Sequence, residues 1–416
     1  MRIIFYFLIA GIAAIVTYAL ALLVLKLSLK YRLYPQVRQR DVHTRPTPRL
    51  GGVAMFFGVV AAFAVASSFS NFSLIFNEPG KVFGLLGAAL IIVVIGVADD
   101  IWDLDWLTKL AGQIIAAGVL AWQGVQLSTL PIGGKTIVSP YVSLIITIFA
   151  IVLVMNAVNF IDGLDGLVAG VAIIASSVFF VYAYLLQGQA QTEYFNLASL
   201  TTAILIGACV GFLPANFHPA KMFMGDAGAL LVGLLMAASA ISVTGQVDDN
   251  YLAQPDKFTL SFLPAFIPIL LPIAVLVIPL LDFGLAIIRR LRAGKSPFTA
   301  DRKHLHHRLL DMGHSHLHAV LILYSWTFLA SVGVLAFTFV PWRWGALMFV
   351  AGLVGCAAVT LAPLSRSKSR EAAVQRAAVA DDSPVEDARY DGLDAASNEI
   401  STTHDTTTHD TKEHTE

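Results

Sequence analysis

The chain has 416 residues, 57% hydrophobic and 13% charged, with 27 basic against 28 acidic side chains and a net charge of −1. At a mean hydropathy of +0.73 it carries more apolar surface than a soluble core of this length would bury, and its balanced charge leaves no basic face for nucleic acid. Apolar runs of roughly 20 residues, enough for about 30 Å of hydrocarbon, recur without the alternation of barrel strands, so an all-α polytopic membrane protein is predicted.

In chain order the runs predict about eleven transmembrane helices, near 3–28, 51–69, 82–98, 108–124, 141–158, 166–186, 196–213, 228–244, 260–288, 318–340 and 344–364. The first is read as a membrane helix rather than a signal peptide, because the run is long and Lys26 follows without a cleavage site. Pro264, Pro268, Pro272 and Pro279 predict a kink or break in the ninth. Cys209 and Cys356 sit inside apolar runs and read as packing residues.

Orientation follows from the loops. Lys30, Arg32, Arg38, Arg40, Arg45 and Arg49 in one, and Arg289, Arg290, Arg292, Lys295, Arg302, Lys303 and Arg308 in another, place both in the cytoplasm. Eleven spans put both on the same side, with the amino terminus outside and the carboxyl terminus cytoplasmic. Near residue 365 the composition turns to Ala, Asp, Ser, Thr and His, dividing the chain into a membrane domain, 1–365, and a tail, 366–416, predicted to be disordered. His404, His409 and His414 in it read as solvated rather than metal-binding.

Five polar segments fall on the predicted cytoplasmic side. The stretch from Asp41 to Gly52 offers Arg45 and Arg49 to an anion, although an ordinary basic loop would explain it alone. Asp99 and Asp100 end an apolar helix and Lys109 begins the next; adjacent carboxylates at a membrane boundary need a cation or a proton, which favours function over simple helix termination. Asn156, Asn159, Asp162 and Asp165 crowd a short connection with Gly163 and Gly166, supplying hard oxygen ligands where an Asx turn would need only one or two of them. Asn216, His218, Lys221, Phe223 and Asp226 follow; Asp226 alone would pass for a helix cap, but the set suits a metal-bound nucleotide. The last segment, Ser296 to His314, gathers Arg302, His304, His306, His307 and Arg308, donors suited to phosphate oxygens. Zinc is the rival there, disfavoured because no cysteine accompanies the histidines. Asp282, outside these segments, reads as a partner of Arg289 or Arg290.

Taken together, D-D at Asp99, D-G-L-D-G at Asp162 and H-L-H-H-R-L at His304 in this order resemble the polyprenyl-phosphate N-acetylhexosamine-1-phosphate transferases over residues 1 to about 365. The resemblance is nearest to the bacterial UDP-N-acetylglucosamine branch, whose acceptor is undecaprenyl or decaprenyl phosphate. Leu305 interrupts the three consecutive histidines expected of the muramoyl-pentapeptide branch, which remains the alternative, and eleven helices fit the first branch better than the ten of the second. The family implies transfer of N-acetylglucosamine 1-phosphate from UDP-N-acetylglucosamine to a polyprenyl phosphate, with release of UMP. That reaction opens cell-envelope glycan synthesis and would place the site at the cytoplasmic face of the plasma membrane.

By that resemblance Asp99 would deprotonate the lipid phosphate with Asp100 beside it, a covalent phosphosugar intermediate on Asp99 being the alternative, and Lys109 would contact phosphate. Asn159 and Asp226 would hold magnesium, with manganese a substitute, and Phe223 and Asp165 would meet the uridine. Arg302, His304, His306 and His307 would surround the sugar phosphate, and Arg45, Asp162, Asn216 and Lys221 would complete the substrate contacts. A homodimer is compatible with the resemblance. An ion-coupled transporter is the rival from another class, but it would place acids near the bilayer midplane rather than at one interface. An intramembrane aspartyl protease fails at Met222 to Asp226, where the G-x-G-D pattern is absent.

Overall fold

A computed structural model describes residues 3–31, 47–127, 129–131, 135–137, 139–190, 193–244, 270–294 and 304–381. The helices are α1 (Ile3–Tyr31), α2 (Gly51–Ala66), the short α3 (Ser73–Asn77), α4 (Pro79–Trp102), α5 (Trp106–Trp122), α6 (Pro140–Phe160), α7 (Leu167–Ala190), α8 (Glu193–Asn216), α9 (Gly225–Thr244), α10 (Val277–Arg292), α11 (Leu305–Asp311), α12 (His316–Ala336) and α13 (Trp342–Asp381). One small antiparallel hairpin, β1 (Thr129–Pro131) with β2 (Lys135–Ile137), interrupts the helical pattern between α5 and α6.

Eight of these helices, α1, α4, α6, α7, α8, α9, α12 and α13, are long and apolar enough to cross a bilayer. The run predicted at 51–69 forms α2 and then bends by 101° into Ser70–Asn77, making a ninth span if the pair is counted as one. Helix α5 is apolar but shorter. The predicted span 260–288 is described only from residue 270, where helical residues 270–275 give way at Leu276 to α10.

Local sequence explains where helices begin and end. Proline at the first turn opens α4 and α6, where its missing N–H costs nothing. Asp105 caps α5 by accepting from Thr108 N at 2.9 Å. Asp103, at φ 55°, takes the left-handed conformation that closes α4, turning the chain sharply between the acid pair and Lys109.

Helix α9 is central: it packs against α2, α4, α6, α7 and α8, and 94% of its apolar window is buried. A helix apolar on every side suits that position. Around it α1 packs on α2 and α8, α5 on α4 and α6, α12 on α7, and α10 on α6 and α12. Only 6% of the α13 window is buried, and its outward Val350, Val354 and Leu361 belong in lipid. The chain divides into two compact units, Met1–Pro363 and Leu364–Glu416. Residues 366–381, expected to be structureless, continue α13 as helix; their Ala, Arg, Lys and Glu content favours that state. The histidines of the tail lie outside the described residues.

Candidate active site

Helix ends at one end of the bundle bring the polar segments together. Helix α4 delivers Asp99 and Asp100 at its last turn, and α5 delivers Lys109 in its first. Lys109 Nζ lies 2.5 Å from Asp99 Oδ2 and 3.0 Å from Asp226 Oδ2, so one ammonium bridges carboxylates 127 residues apart in sequence at the start of α9 and the end of α4. The other oxygen of Asp99 accepts from Leu104 N at 2.8 Å. Asn159, at the end of α6, brings its carboxamide within 3.5 Å of Asp226 Oδ2.

Asp100 joins from the side. Its Oδ1 accepts from Asp226 N at 3.3 Å, while its buried Oδ2 has no hydrogen-bond partner among the described residues. Asp226 occupies the first turn of α9, where the helix dipole favours negative charge. Immediately before it, Gly225 sits at φ +68°, and a Cβ there would collide with Arg49 O and Asp100 Oδ2. Only glycine fits both the conformation and the space.

Two backbone hydrogen bonds, Gly51 N to Phe223 O at 3.1 Å and Gly52 N to Met224 O at 2.9 Å, dock the start of α2 against the loop that precedes Gly225. Phe223 N in turn donates to Pro48 O at 2.8 Å. Arg49 is thereby held at the site; Arg45 lies outside the described residues.

Several of the predicted site residues also make hydrogen bonds within the protein. Asn216, 3% exposed, accepts from Gly166 N at 3.1 Å and donates to Met222 O at 3.1 Å. Asp165, 4% exposed, accepts from Ala220 N at 3.0 Å and lies 2.8 Å from His218 Nδ1. Both clamp the 159–166 loop to the 217–224 loop. Lys221 is exposed and Phe223 half-buried. Asn156 donates to Gln113 Oε1 at 2.5 Å, tying α6 to α5.

Asp162, half-buried in the loop, titrates at about 7: burial raises it first, the charges of Asp226 and Asp165 raise it further, and Arg49 pulls it down. The histidine segment packs on the same loop. The His306 ring lies where a Cβ on Gly163 would be, and His306 pairs face to face with His304 at 5.7 Å. Burial, reinforced by His307, lowers His306 to about 3, so it is a neutral imidazole. His307 is half-buried beside it at 4.3 Å. His304 stacks on Phe160 at 5.4 Å, and its Nδ1 lies 3.0 Å from Asp282 Oδ2. Arg302 lies outside the described residues.

Asp282 therefore serves the histidine loop, a role hidden in the sequence because basic residues stand closer along the chain. No group of three or more His, Cys, Asp or Glu side chains among the described residues is arranged to hold a metal ion. The donors that do converge, Asp226 and Asn159 with the unpartnered Asp100 oxygen nearby, are hard oxygens and few. That set fits magnesium, which keeps waters and takes only one or two protein carboxylates when it also binds phosphate. Acids, one lysine and a wall of imidazoles suit the meeting of two phosphate-bearing molecules.

Comparison with known sequences gives a concordant result. The profile described as glycosyl transferase family 4 matches residues 82–244. The decaprenyl-phosphate N-acetylglucosaminephosphotransferase of Mycolicibacterium smegmatis is 42% identical over 85% of this chain and 87% of that protein. The undecaprenyl-phosphate alpha-N-acetylglucosaminyl 1-phosphate transferase of Yersinia pestis is 30% identical over 79% of this chain and 84% of its own. The phospho-N-acetylmuramoyl-pentapeptide-transferase of Desulforudis audaxviator is 29% identical over a smaller share, 56% of this chain and 74% of its own.

Proposed function

The chain belongs to glycosyl transferase family 4, among its polyprenyl-phosphate N-acetylhexosamine-1-phosphate transferases, and from that membership we propose that it moves N-acetylglucosamine 1-phosphate from UDP-N-acetylglucosamine to a membrane polyprenyl phosphate. The observation that carries the reading at this site is the Lys109 bridge between Asp99 and Asp226. It sets a cation and two acids from three different helices at one point, where a lipid phosphate and a nucleotide sugar would meet. The greater identity and coverage of the N-acetylglucosamine relatives favour this donor over a muramoyl-pentapeptide one.

In the reaction an oxygen of the lipid phosphate forms a bond to the sugar-bearing phosphorus as the bond from that phosphorus to the UMP oxygen breaks, its electron pair leaving with UMP. Asp99 takes the proton of the lipid phosphate, Asp100 stands behind it, and Lys109 offsets the charge of the approaching phosphates. Asp226 and Asn159 would hold magnesium, which when bound neutralises the pyrophosphate. His304, His306 and His307 wall the sugar-phosphate side, and the 217–224 loop presents Phe223 to the uridine. Positioning and electrostatics supply most of the acceleration in such a transfer. The site opens to the cytoplasm in this reading, where nucleotide sugars are found, and the lysine- and arginine-rich loops support that side.

Purified protein supplied with magnesium, a polyprenyl phosphate and a panel of UDP-sugars is expected to release UMP fastest with UDP-N-acetylglucosamine. Asp99→Asn and Asp226→Asn should each abolish release. Full activity in both variants, or no preference among the sugars, overturns the reading.

A further inference from the structure

Asp282 has none of its surface exposed, yet it is a carboxylate within α10. Burying such a group is costly unless its oxygens are paired, and both are. Oδ1 accepts from Leu305 N at 2.8 Å, and Oδ2 lies 3.0 Å from His304 Nδ1. The two contacts differ in kind. The first anchors the start of α11; the second acts on an imidazole.

An ionised carboxylate can only accept, so His304 Nδ1 must carry the proton in this bond. The opposite ring nitrogen, Nε2, is then the atom left for another partner. The ring plane is fixed as well, because His304 stacks on Phe160 at 5.4 Å and Phe160 is itself held by Phe283 at 5.2 Å and by the Arg290 guanidinium 5.3 Å from its centroid. Phe160 follows Asn159, whose carboxamide faces Asp226, and His306 beside His304 rests over Gly163. The clamp on His304 is thus built into the wall of the site.

We propose that Asp282 is a positioning residue for His304: its buried carboxylate fixes the tautomer and the plane of the imidazole, so that Nε2 is presented to the sugar phosphate of the nucleotide sugar. This rests on the transferase reading above. Asp282 itself touches no substrate.

The test is a cycle of Asp282→Asn, His304→Ala and the double variant, read by kcat and KM for UMP release and by thermal unfolding of the purified protein. Asparagine keeps an oxygen for Leu305 N and so preserves the anchor, but turns an NH₂ toward Nδ1 and drives the proton to Nε2. Asp282→Asn is expected to lower kcat by about 10- to 100-fold, the usual cost of losing an orienting partner, with KM and unfolding little changed. In the His304→Ala background the same substitution should cost no more than about twofold, since the group it acts through is gone. An equal loss in both backgrounds, a wild-type rate in Asp282→Asn, an Asp282→Asn chain that unfolds while His304→Ala does not, or full activity in His304→Ala each overturns the proposal while leaving the transferase reading intact. Failure of the unsubstituted protein to release UMP from any UDP-sugar overturns the reading and the proposal with it.

Discussion

Replacing Lys109 with methionine removes the ammonium that bridges Asp99 and Asp226 while keeping most of the side chain's volume. Unit charges about 4 Å apart attract by roughly 4 kcal/mol at an effective dielectric near 20, and stripping one member from a buried pair costs about 3–5 kcal/mol. Here the Lys109 and Asp226 side chains are 27% and 26% exposed while Asp99 is 8% exposed, so water screens part of the interaction. About 2–3 kcal/mol remains, which corresponds to a loss of roughly 30- to 150-fold if the full amount is expressed in kcat/KM. The same substitution leaves Asp226 without its cationic competitor, so magnesium should stabilise the variant more than the parent. The assay is UMP release at saturating magnesium, with thermal unfolding in detergent measured with and without the ion. An unchanged kcat/KM together with equal magnesium stabilisation in the two proteins would refute the assignment of Lys109 as the charge bridge.

Three further substitutions probe the surrounding wall. His306 titrates at about 3 in the folded chain against an ordinary 6.5, so the unfolded chain binds the extra proton as pH falls through that interval. Stability is complete above 6.5 and declines by about 1.4 kcal/mol per pH unit below it, and His306→Gln should flatten that decline in unfolding midpoints taken from pH 7 to pH 4. Asp162 behaves oppositely: raised to about 7, it contributes stability that is full below 3.8 and lost as pH rises through 7. Asp162→Asn should therefore raise the unfolding midpoint at pH 8 and leave it nearly unchanged at pH 4; equal shifts at both values would contradict that sign. Gly225→Ala forces a side chain into a left-handed position against Arg49 O and the Asp100 carboxylate, at a cost of about 1–3 kcal/mol. It should cut UMP release sharply, and wild-type kinetics would show that the α9 start does not set the site.

The sequence alone determined the solvent and the chemistry of this protein. Apolar runs of membrane length dictate helices because lipid offers backbone groups no partner. Acids, amides and histidines are costly enough in lipid that their gathering in loops on one predicted side already marks a site. Tertiary structure decided which of them face one another. Hydropathy says that Asp226 opens a helix, but only packing of α9 against α4 and α6 carries it to Lys109 and Asn159. Asn216 and Asp165 are also tied to backbone N–H groups across two loops, a link invisible in the sequence, because a buried amide or carboxylate takes the nearest backbone N–H that geometry offers. Asp282 shows the converse. Its sequence neighbours suggested an arginine partner, yet its helix packs on α6 and carries it to His304, 22 residues away. Side-chain period fixes which face of a helix a residue occupies; what lies opposite that face is set by how helices cross, and that is a property of the packed bundle.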